Sequence, residues 1–367
     1  MGKGVFLLKR KQLILTIALV ILSVFSINVI VAASEFNFAV TPITPENQID
    51  KEKTYFDIQL DPGEKEELKV VLRNDTDKDV TIEVSLNSAT TNSNVVVEYG
   101  KNEIEKDSSL TLDLEEYVDY PKSITLKPHS NQTVAFQVTM PKEMFDGVLA
   151  GGITFKEVQA EDQQKEKDEQ GLSIKNEYSY VVALLMRQNL NEVAPNLLLH
   201  EVKPGQINAR NVILANIQND QKTYINQVSI QTKITKKGQS EVLYHEEKEN
   251  LQIAPNSNFS FPTSLGGAAL EPGEYHLKMT IFGNENESGK FTRENANKTV
   301  NYSNYWEFEK DFTIAGDVAK KLNAQDVTIK KDNTKLYILI GIIFLLLMLL
   351  LILWLIWRKK KHEEEQT

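Results

Sequence analysis

Apolar residues in the middle of this chain recur at every second position, and that period decides what it can fold into. Val80, Ile82, Val84 and Leu86 alternate with polar residues; so, for the most part, do Val134, Phe136, Val138 and Met140, then Val228 and Ile230, then Tyr275, Leu277, Met279 and Ile281. A period of two sends successive side chains to opposite faces of an extended chain, so these runs are half-buried strands. Pro62-Gly63, Asn74-Asp75, Pro204-Gly205, Asn219-Asp220 and Pro272-Gly273 punctuate them with turn chemistry. Between the two apolar ends, only AGDVAKKLNAQDV, starting at Ala315, offers a helical pattern.

The order of signals is written twice. Pro62-Gly63 leads to LKVVLRND, then VTIEVSL, then the turn Pro128-His129-Ser130-Asn131 before another strand. Pro204-Gly205 leads to NVILANIQND, then VSIQTKI, then Pro255-Asn256-Ser257-Asn258 before FSF. Two successive domains of one plan follow, each with seven to nine short strands, which predicts all-β, tandem immunoglobulin-like sandwiches. The charged stretch EVQAEDQQKEKDEQGLSIKN reads as a long hairpin loop, which places the first domain at residues 34–191 and the second at 192–315, with Pro195 at the boundary. A boundary within the charged stretch is the competing reading.

Both ends are apolar. Lys3, Lys9, Arg10 and Lys11 precede an apolar run over 13–31 and then VAAS, the pattern of a secretory signal peptide cut between Ala33 and Ser34; an uncleaved anchor is the alternative. Residues 336–357 carry no charge, and at about 1.5 Å per residue they cover the ~30 Å hydrocarbon layer as a transmembrane helix. Trp354 and Trp357 suit the interface, and the cluster 358–361 is a stop-transfer signal that opens a short cytoplasmic tail, 358–367. Residues 316–335 are expected to form a juxtamembrane stalk reaching about 30 to 65 Å, according to whether they are helical or extended. The ectodomain would then face outward.

Without signal and tail the chain holds 33 Lys and Arg against 48 Asp and Glu, so bulk charge excludes nucleic acid and anionic polymers as partners. It has no Cys, which favours an exported bacterial protein folded without disulfides. The five histidines never pair at metal spacing, and no nucleophile motif is present, so neither an enzyme nor a cofactor is expected. Four tyrosines are candidate surface rings: Tyr302 and Tyr305, near the final strand, for a protein partner, and Tyr117 and Tyr120, flanking a turn before Pro121, for the first domain's ligand. Trp306 reads as core, and Gly147, Gly151 and Gly152 as a tight turn and a bulge.

Taken in order, the signal peptide, ITLKPHSNQTVAFQVTMPKEMFDGVLAGGITF, APNLLLHEV, APNSNFSF, LEPGEYHLKMTI, WEFEKDFTI, the membrane helix and the basic tail resemble the WxL-interacting proteins of Gram-positive bacteria. The resemblance implies a first domain that binds peptidoglycan and a second that binds the WxL domain of secreted surface proteins. The chain would then be a membrane-anchored tether holding those proteins at the cell wall. The ectodomain has no W-x-L of its own. A surface adhesin for host glycans or matrix proteins is the alternative function, and a chaperone that adds strands to an exposed sheet edge is a third.

Overall fold

The computed structural model describes residues 37–158, 178–295, 298–329 and 334–364; the signal-peptide reading and the charged stretch from residue 159 onward lie outside them. The first domain begins with β1 (Phe38–Ile43), β2 (Phe56–Gln59), β3 (Lys65–Asn74) and β4 (Val80–Ser88), followed by a small hairpin of β5 (Thr90–Thr91) and β6 (Val97–Glu98). It continues with β7 (Val118–Asp119), β8 (Ser123–Leu126), β9 (Ser130–Thr139), β10 (Leu149–Glu157) and β11 (Ser179–Arg187). Two sheets result, ordered β1-β3-β9-β7 and β2-β11-β10-β4-β8. The alternating residues fill the space between them: Leu68, Val70, Leu72, Ile82, Leu86, Phe136 and Phe155 are fully buried. β11 pairs with β10 and with β2, so it belongs to this domain.

The second domain comprises β12 (Leu197–Ile207), β13 (Arg210–Asn219), β14 (Ile225–Lys236), β15 (Val242–Ile253), β16 (Ser257–Ser264), β17 (Gly273–Glu285), β18 (Phe291–Asn295) and β19 (Lys298–Ile314). Its sheets run β12-β13-β16 and β15-β14-β17-β19-β18, packed around Ile217, Ile230, Ile234, Phe261, Leu277, Met279 and Ile281. The chain is thus two tandem β-sandwiches, followed by α1 (Gly316–Gln325) and α2 (Thr334–Glu364). Within α2, Tyr337–Leu355 is apolar and solvent-facing and long enough to cross a membrane.

The repeated turn has a shared physical basis. In the first domain, the buried Asn74 ends β3 and donates from Nδ2 to the carbonyls of Lys78 (2.8 Å) and Lys127 (3.0 Å). In the second, the buried Asn219 ends β13 and donates to the carbonyls of Thr223 and Ala254, both at 2.8 Å. The Ser after each turn donates back to the residue before the Pro: Ser130 to Lys127 and Ser257 to Ala254. His129 (φ 50°) and Asn256 (φ 45°) both take the left-handed conformation that the turn requires. Each domain therefore bolts one corner with the same Asn, Pro and Ser.

The second domain's corner is also the joint to the first. Val95, at the tip of the β5–β6 hairpin, has no solvent exposure and packs into the second domain's core. Thr91 accepts a hydrogen bond from the Ala254 amide (2.9 Å) and shares one with Ser257 (2.8 Å). The Tyr99 and Tyr224 hydroxyls meet at 3.2 Å, and the Val148 amide donates to the Lys222 carbonyl (2.8 Å). Gly147 (φ 89°) lies so close that a Cβ would stand 2.2 Å from that carbonyl oxygen. Asp107, itself buried, accepts from Gln218 (2.7 Å) and Asn258 (2.8 Å) across the joint and from Ser109 on its own side.

Burial alone would raise the Asp107 carboxyl, but those hydrogen bonds outweigh it and hold its pKa below the ordinary aspartate range. A depressed pKa stabilises the fold fully above about pH 4, and the contribution is lost as pH falls through the folded value. Calorimetry should therefore show the two sandwiches unfolding together at pH 7 and separating as pH falls below the ordinary aspartate range. Asp107→Asn should already loosen them at pH 7.

Two local expectations change. β10 keeps continuous register with β4 and β11 through Gly151 and Gly152, so there is no bulge. The glycines instead admit close neighbours: a Cβ on Gly152 would stand 2.6 Å from the Cβ of Tyr99, and one on Gly151 would stand 2.4 Å from Leu114. The expected free stalk is also largely folded. Ala319 of α1 is buried in the second domain's core, Asn323 bonds Leu270 through both amide N–H and oxygen, and Asp326 accepts from the Asn211 amide (2.7 Å). The Val327 amide donates to the Ala209 carbonyl, so the chain stays docked almost to the start of α2.

Candidate functional site

The four tyrosines sit in two different settings. Tyr117 closes a 3-10 turn (Leu114–Tyr117) and packs half-buried on the first core. Tyr120 stacks on Phe136 with ring centroids 6.2 Å apart and donates its hydroxyl to Glu115; Lys122 donates to that hydroxyl (2.6 Å) and lies 4.0 Å from the ring centroid. Both rings are therefore engaged with their own domain.

In the second domain, Tyr302 is only 5% exposed, whereas Tyr305 is half-buried. Phe282 contacts both rings, at 5.3 and 5.1 Å, and Phe291 stacks on Tyr305 at 5.5 Å. Phe291 is 39% exposed, so the patch reaching solvent is Phe291 with Tyr305. Trp306 packs on the core from its rim rather than from within it, next to Gly283, where a Cβ would stand 3.2 Å from the indole. Arg293 of β18 is largely buried and pairs with Glu247 and Glu249 of β15. Those strands are opposite edges of one five-stranded sheet, so the sheet curls strongly here and its edges meet.

A recess in the first domain was not foreseen from sequence. The outer face of β4, β10 and β11 carries the cross-strand row Glu83–Lys156–Ser179 and, beside it, Ser85–Thr154. The segment 100–103 lies across one side and closes a groove of about 430 Å³. Its formation depends on Gly152, whose missing side chain seats Tyr99. Only register between distant strands brings these residues together.

Two β-sandwiches in series, followed by one helix apolar and long enough to cross a membrane, define the architecture. Residues 38–157 match the model of the WxL Interacting Protein peptidoglycan binding domain, and residues 169–324 match that of the WxL Interacting Protein host binding domain. The chain belongs to the WxL-interacting protein family. Both models describe binding domains, and the second is named for host binding, where the resemblance implied WxL binding.

No curated protein matches the chain in sequence. Similar solved structures include a PapD-like domain of human CEP192 (13% identity, 46% of this chain and 97% of that one, TM-score 0.26). They also include the class 5 fimbriae chaperone CfaA (14%, 75% and 99%, TM-score 0.27) and the E. coli chaperone DraB (14%, 76% and 97%, TM-score 0.25). Scores of this size carry no functional argument, and the sandwich assignment rests on the strand order above.

Proposed function

We propose that the protein is a single-pass surface tether of a Gram-positive envelope, binding peptidoglycan through its first domain and the WxL domain of secreted proteins through its second. In this reading the signal peptide is removed between Ala33 and Ser34, the sandwiches face the wall, and the tail from Arg358 stays in the cytoplasm. The supporting observation is that two binding domains of one family stand in series ahead of an apolar helix.

The test is capture by the full chain in detergent micelles from the supernatant of a bacterium that secretes WxL proteins. Retention of those proteins is the expected result. Capture of host matrix proteins or glycans alone would replace the tether with a direct adhesin, the reading that the second model's name favours.

The exposed aromatic pair gives the contact its first candidate. Tyr305→Ala should weaken partner capture about tenfold, an interface loss of about 1.4 kcal/mol, without moving the unfolding midpoint. Tyr302→Ala should behave in the opposite way. Its ring is buried, so the loss should appear as destabilisation of about 3 kcal/mol in a denaturant titration.

A further inference from the structure

We infer that the groove on the outer face of β4, β10 and β11 binds a short peptide carrying both a carboxylate and an ammonium group, the chemistry of a peptidoglycan stem. This rests on the first domain being a wall binder and adds where it binds and which part of the wall it reads.

Three observations converge. Thr154 lies on the groove and is only 8% exposed, yet its hydroxyl has no hydrogen-bond partner among the described residues. Buried polar atoms are nearly always paired, so one left unpaired in the floor of a recess is a place for a ligand's donor or acceptor once the side chain turns toward it. The groove's volume lies within the range of small-ligand sites. Its charges come in both signs: Glu83 and Glu103 on one hand, Lys101 and Lys156 on the other. Glu83, Lys101 and Glu103 make no ion pair among the described residues, so opposite charges on a ligand could each meet a counter-charge. An uncharged glycan offers neither, and among the described residues Tyr178 alone brings an aromatic ring to the groove.

The wall of the groove is held in advance. Asn102 donates to Thr90 (2.9 Å) and to the Gly100 carbonyl (3.1 Å), and accepts from the Ile104 amide (2.9 Å). Tyr99, just before it, bonds Tyr224 of the second domain. A Cβ on Gly100 would stand 3.4 Å from the Thr154 hydroxyl, so this segment packs directly beside that oxygen. Little ordering remains to be done on binding.

The probe is the free pentapeptide L-Ala-γ-D-Glu-L-Lys-D-Ala-D-Ala, titrated calorimetrically into the full chain in micelles, with an N-acetylglucosamine oligomer as the comparison. The peptide should bind and the oligomer should not. Thr154→Val and Glu83→Gln should each weaken the peptide at least tenfold. Thr154→Val should leave the unfolding midpoint unchanged or higher, since it removes an unpartnered buried hydroxyl. Equal affinity in both variants, or binding of the oligomer in place of the peptide, would overturn the assignment. Sedimentation with purified sacculi separates the two claims. If sacculi are bound and the peptide is not, the groove is wrong and wall binding stands; if neither is bound, both fail.

Discussion

Val95→Asp should unfold the second sandwich although the substitution lies in the first. The Val95 side chain is wholly enclosed by the second domain's core, so a carboxylate there would be buried without a partner. Leaving a charge in that state costs about 3 to 5 kcal/mol, a large part of the 5 to 15 kcal/mol that holds a typical domain together. Trp306 is the single tryptophan before α2, and its fluorescence reports the transition. Val95→Gly separates backbone from side chain: φ is 60° there, a strained value for a β-branched residue, so glycine relieves strain while losing the buried methyl groups. Its effect should be much smaller. A Trp306 transition unmoved by Val95→Asp would refute the insertion of this hairpin into the second core.

The second large effect belongs to the corner bolts. Asn219→Asp exchanges two N–H donors for a carboxylate facing the carbonyls of Thr223 and Ala254. Two unsatisfied buried acceptors at about 1 to 3 kcal/mol each, with added repulsion, put the loss near 4 kcal/mol. Asn74→Asp should do the same to the first sandwich, where the amide bridges Lys78 and Lys127. Urea titrations of the two variants should show equal sensitivity at equivalent positions. A shift below about 1 kcal/mol in either would mean that the corner is held by its turn alone.

These two sites also mark how far the sequence can be read. Residues such as Ile82, Phe136 and Leu277 announce the strands because burial on one face imposes a local period. The turns at Pro128 and Pro255 are visible as a repeated phrase for the same reason. Asn74 and Asn219 read only as turn residues, since the carbonyls that they hold at Lys127 and Ala254 lie 53 and 35 positions away. Val95 looks like any strand residue, because the core that it fills belongs to another domain. Tyr302 and Tyr305 stand three residues apart in the same strand and look alike in the sequence, but the fold buries the first and leaves the second half-exposed. The helix of α1 was legible, but its docking depends on a small residue, Ala319, fitting a distant core.

That docking sets a leash length. From Ile329 to Thr334, the first residue of α2, the backbone can extend no more than about 18 Å. In the tether that we propose, with α2 seated in a bilayer, the base of the second sandwich moves within a thin layer above the lipid and has little freedom to tumble. A partner that also sits at the membrane meets this face at an effective concentration set by that layer rather than by bulk solution. Lengthening the segment between Ile329 and Thr334 with flexible residues should dilute such encounters while leaving every contact surface intact.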